Sequence, residues 1–160
     1  MAHPILITLH TLAGVVSFFA GCLAVRRRSY FAAYFYSLVL LVVFLLGAIA
    51  VTWTELDVAT RILFAALSAL GGYMIVRGAQ ARRILLRTDG PLPVGYVDHL
   101  GFTLVALFDG FIVITVLRLT GSGWLAAGSG VAIAVAGHFA IVRLKRSHTA
   151  WLTTRSTGLA

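Results

Sequence analysis

Charge is scarce in this sequence, and with it most of what a water-soluble surface requires. Only 11% of the 160 residues are Asp, Glu, Lys or Arg, against 60% apolar. A chain of this length can make one ordinary soluble domain, but so few polar residues could not cover it. Cysteine occurs once, at Cys22, so no internal disulfide can form; in an apolar run it is expected to be a small buried thiol. No basic segment precedes the first apolar run, which starts almost at Met1 and is followed by Arg26, Arg27 and Arg28. That order is the reverse of a secretory signal peptide, so the run is expected to stay in the mature protein. A phosphate-cradling glycine loop, paired cysteines, a nucleophile elbow and a metalloprotease His-Glu motif are all missing, which weighs against an enzyme.

What the sequence does have is length of apolar run. A spanning helix needs roughly 20 mostly apolar residues, and five such stretches follow one another, at about 5–25, 31–53, 58–76, 97–117 and 124–142. Because the runs are continuous rather than alternating with period two, they predict helices and not barrel strands. The expected fold is an all-α integral membrane bundle of five transmembrane helices. It forms a single membrane domain over 1–160, with a short basic tail at 143–160.

The formal charge of +8 does not point to nucleic acid, because the basic residues sit in short clusters between apolar runs rather than along a wettable face. They set orientation instead. Arg26, Arg27 and Arg28 follow the first run, Arg77, Arg82, Arg83 and Arg87 the third, and Arg143, Lys145, Arg146 and Arg155 the fifth. Arg61 and Arg118 stand on the other side, with Glu55 and Asp57. Since the basic side faces the cytoplasm, the amino end is expected outside and the carboxyl end inside. Trp53 and Trp124 then mark the outer interface, Tyr30 and Tyr96 the inner one, and the inner clusters are placed to meet anionic lipid head groups.

The connection from Arg77 to Tyr96 begins as a basic continuation of the third helix. It ends in Thr88, Asp89, Gly90, Pro91, Leu92 and Pro93, a turn-forming run. The second run is bulky nearly all round, so lipid is expected to cover much of it. Small residues mark the faces expected to pack: His10, Gly14, Ser17 and Gly21 on the first helix, and Ala126, Gly130, Ala134 and His138 on the fifth. His10, Phe19 and Gly21 also match His99, Phe108 and Gly110 in spacing. One reading is an inverted repeat; the other is chance agreement in glycine-rich apolar sequence.

Ionisable residues within a span carry the functional expectations, because burying a charge at mid-bilayer costs from about 3 to more than 10 kcal/mol. Asp109 lies some twelve residues into the fourth run. It is expected to be protonated, paired or facing water, and either serves proton-coupled transport or hydrogen-bonds a neighbouring helix. His99 and His138 share a depth on adjacent antiparallel helices, which allows an imidazole pair for b-type haem or a metal. His10 and His138 differ in depth by about 13 Å and cannot be two axial ligands of one haem. Two histidines are few for zinc, and Asp98 points about 100° away from His99. No cofactor is predicted as the first reading, with haem b as the alternative.

The helix with His10 and Gly14, the basic turn after it, and the pair Asp98 and His99 opening a fourth helix resemble small bacterial integral membrane proteins of unknown function. The resemblance covers roughly residues 1–118. It implies a multi-pass protein of the bacterial cytoplasmic membrane and carries no settled activity. Two function classes follow: a small, homo-oligomeric transport or channel-like protein using Asp109, and a redox subunit holding haem between the fourth and fifth helices. A structural or assembly subunit is the third.

Overall fold

The computed structural model describes residues 2–54, 56, 58–88, 92–122, 124–125, 128–140 and 142–143. Among the described residues the chain is helical and contains no strand. The helices are α1 (Ala2–Ala24), α2 (Phe31–Thr52), α3 (Val58–Leu86) and α4 (Val94–Thr120), followed by α5 (Gly128–Ala140). A 3-10 turn, Arg28–Tyr30, leads into α2. Three segments, Pro4–Ala24, Arg28–Thr52 and Val94–Thr120, are long and apolar enough to cross a membrane.

The chain forms two compact units, Met1–Arg82 and Arg83–Ala160. In the first, α1 gives way to α2 through a tight turn. The amides of Arg26 and Arg27 both donate to the Leu23 carbonyl, at 3.0 and 2.9 Å, and Arg27 is extended at φ −135°, ψ 116°. So short a turn forces the helices to run antiparallel, and the contacts confirm it. A Cβ on Gly14 would lie 3.1 Å from Leu41 Cδ1, and one on Gly47 would lie 3.6 Å from Leu6 Cδ2. The face of α1 turned to α2 carries Ala13, Ser17, Ala20 and Ala24, all buried, and Gly21 is buried with them. Small side chains there let the two backbones approach closely.

Bulky α2 packs against both neighbours in this unit while Tyr36, Leu40, Val43, Leu46 and Val51 stay exposed. Phe31, Tyr34, Ser37, Leu38, Leu41, Val42, Ala48 and Ile49 are buried. The reason lies on its neighbours: glycines of α3 receive its side chains just as the small face of α1 does. A Cβ on Gly71 would stand 3.0 Å from Val42 Cγ2, and one on Gly78 would stand 3.0 Å from the Phe35 ring. At the far end of the α2–α3 connection the Arg61 guanidinium lies over the Trp53 ring, 5.4 Å from its centroid, a cation–π contact that ties the start of α3 to the end of α2. Glu55 and Asp57 lie outside the described residues.

The basic continuation of α3 is helical through Leu86, and a Cβ on Gly95 would touch Ile84 Cδ1 at 3.4 Å. In the second unit Tyr96, Val97, Leu100 and Thr103 are buried on the first turns of α4. Tyr96 therefore belongs to the protein interior, not to an aromatic belt facing lipid. The amide of Tyr96 donates to the Pro93 carbonyl at 3.0 Å, which fixes Tyr96 at the first turn, where its ring turns inward.

Cys22 also differs from expectation. It is exposed, because the packing face of α1 passes through Gly21 and Ala24 and leaves Cys22 on the opposite side with Leu12, Val15 and Phe19. An outward surface this apolar is stable against lipid and not against water.

Candidate functional site

Hydroxyl groups enter these apolar helices at small cost because most bond a carbonyl of their own helix. Thr8 donates to Pro4 at 2.8 Å, Ser68 to Phe64 at 2.7 Å, Thr115 to Phe111 at 2.8 Å and Thr120 to Val116 at 2.8 Å. Two side chains instead reach across to α2. His10 Nδ1 lies 2.9 Å from the Leu41 carbonyl oxygen; since a carbonyl only accepts, Nδ1 carries the hydrogen. The Ser17 hydroxyl, fully buried, donates to the Tyr34 carbonyl at 3.3 Å. Histidine, glycine and serine of α1 thus form a polar seam with the α2 backbone.

The α4–α5 hairpin is built by two residues that the pattern of apolar runs does not single out. Gly121 has φ +64°, the left-handed conformation that glycine adopts without a Cβ clash, and it stops α4. Ser122 then accepts a hydrogen bond from the Leu125 amide at 3.4 Å, the geometry of a serine cap three residues ahead of its donor. A glycine followed by a capping serine between two apolar runs is a legible hairpin signal.

This turn sets which residues of α5 meet α4. A Cβ on Gly137 would clash with the Val105 side chain, and one on Gly130 would lie 3.0 Å from Val113 Cγ2, 3.4 Å from Asp109 Oδ1 and 3.8 Å from Asp109 Oδ2. Gly130 and Gly137, seven residues apart, therefore form the contact face. Ala134 and His138 are exposed, and Ala126 lies outside the described residues. The cause is helix geometry: a ladder of strict four-residue steps drifts about 40° per step around the axis, whereas a seven-residue step nearly closes.

Asp109 is half-buried on α4. Its Oδ1 is shut off from solvent and has no hydrogen-bond partner among the described residues. The backbone of Gly130 on α5 lies against it. An orphaned buried oxygen is the exception in folded proteins and marks strain, a chemical role, or a place where a water or ion binds. No cation on these helices offsets it: Arg118 is nine residues further along α4, about 13 Å away.

His99 is half-buried on α4, while His138 is exposed on α5 and its ring meets that of the adjacent Phe139 edge-on at 6.1 Å. Among the described residues no three His, Cys, Asp or Glu side chains gather as a metal group would require. Of the basic inner groups, Arg26, Arg27, Arg82, Arg83, Arg87 and Arg143 are exposed, and Lys145, Arg146 and Arg155 lie outside the described residues with the rest of the tail from residue 144. No protein-family model, curated protein or solved structure matches the chain.

Proposed function

We propose that the chain is a five-span protein of a bacterial cytoplasmic membrane, with its amino end outside, that moves protons or a solute coupled to protons through Asp109. The observation that supports this reading is the buried Asp109 oxygen without a hydrogen bond, set in helices whose hydroxyls are bonded. A carboxyl held only for structure would be expected to bond the neighbouring helix, as His10 and Ser17 do with the Leu41 and Tyr34 carbonyls. One left unbonded keeps its proton available to a carrier. Five short helices enclose little volume, so the pathway is assigned to the seam between copies of a homo-oligomer. The exposed arginines beside the inner turns are suited to anionic lipid head groups.

The test is proton flux into vesicles reconstituted with the intact protein, followed by an internal pH dye under an imposed pH gradient. Asp109→Asn keeps the shape of the side chain and cannot release a proton. Flux in that variant is expected to fall to the level of protein-free vesicles while circular dichroism stays that of the parent. Undiminished flux in a folded asparagine variant rules the reading out.

A further inference from the structure

Gly130 of α5 lies against the Asp109 carboxyl. A Cβ there would lie 3.4 Å from Oδ1 and 3.8 Å from Oδ2, ordinary contact distances at which a methyl group would lie flat against the carboxyl. Nothing in the backbone requires glycine: the residue is within α5, and Gly121 is the glycine with positive φ among the described residues. Glycine is also the less stable choice inside a helix. The 3.0 Å approach to Val113 gives it a packing role, but a packing role makes no distinction between side chains of similar size.

We infer that Gly130 is a positioning residue for Asp109: by presenting no side chain, it places neither a donor nor a methyl group against the carboxyl on the α5 side, so that its proton can exchange. This deepens the proton-exchange reading of Asp109 and rests on it. The ionisable groups of the packed elements stand well away. His138 is eight residues beyond Gly130, about 12 Å along α5, and Arg143 is about 20 Å beyond it. On α4, His99 is about 15 Å from Asp109 in one direction and Arg118 about 13 Å in the other. Gly130 is therefore nearer the carboxyl than any of these groups.

Alanine and serine at this position separate the two roles. Both add a Cβ against the carboxyl and Val113, but serine adds a hydroxyl one bond further on, within reach of Oδ1 as a donor. The readout is the infrared C=O stretch of protonated Asp109 in the intact protein in lipid vesicles. It would be recorded from about pH 4 to pH 8 to bracket the ordinary carboxyl range, and identified by its loss in Asp109→Asn. Gly130→Ser is expected to move the band to lower frequency, as a new hydrogen bond does. Gly130→Ala is expected to leave its frequency in place and to slow its shift on transfer into D2O. Equal shifts in both variants, or no change in either, overturn the inference. If Gly130→Ser does not fold, the exchange rate in Gly130→Ala decides alone, and an unchanged rate overturns it. The infrared band needs no transport, so flux that persists in Asp109→Asn defeats the functional reading, whereas an absent serine–alanine difference defeats the role of Gly130.

Discussion

Among single residues, Asp109, His10 and Ser17 show how differently three polar side chains can sit in apolar helices. Hydrogen bonds between membrane helices contribute roughly 0.6–2 kcal/mol. His10→Phe, which keeps a ring and loses the bond to Leu41, is expected to destabilise the protein by an amount in that range. Ser17→Ala, losing a longer bond of 3.3 Å, is expected to cost less. Both are measured by unfolding in mixed detergent micelles. A His10→Phe variant as stable as the parent would mean that the seam contributes nothing. These residues are legible in the sequence because a polar group in an apolar run is conspicuous. That Asp109 faces Gly130 is not legible there, because it depends on the register of two helices, which Gly121 and Ser122 set.

At the scale of the element, glycine decides how helices meet, and its effect can change sign from one position to the next. Glycine inside a helix is about 0.8–1.0 kcal/mol less favourable than alanine. Gly72 has nothing within 4 Å of an added Cβ, so Gly72→Ala is expected to stabilise by up to that amount. Gly137 is the opposite case. Its Cβ would press on Cγ1, Cγ2 and Cβ of Val105, and a β-branched side chain cannot rotate out of the way. Gly137→Ala is expected to cost about 1–3 kcal/mol, while Ala134→Leu, on an exposed position, is expected to be near neutral. Thermal unfolding in detergent checks all three, and equal stabilities would remove the α4–α5 register described above. The helices themselves were legible from apolar run length. Their partners were not, since the bulk of α2 said only that it was apolar, and the pockets for Val42 and Phe35 belong to Gly71 and Gly78 on another helix.

For the whole molecule, the issue is the number of crossings, because it places Asp109 and both ends of the chain. Three helices meet the length and hydropathy of a span; the proposed topology adds α3 and α5. Tags at Met1 and Ala160 fall on opposite sides whether the crossings number three or five, so the connections must be probed instead. The most direct measurement is labelling of single cysteines, introduced at Thr54, Thr88 and Ser122 in a Cys22→Ser background, with a membrane-impermeant thiol reagent on intact cells. Five crossings with the amino end outside predict labelling at positions 54 and 122 and protection at 88, reversed for 88 after the cells are opened. Labelling at 88 with protection at 122 would mean that α3 does not cross, and would contradict the account.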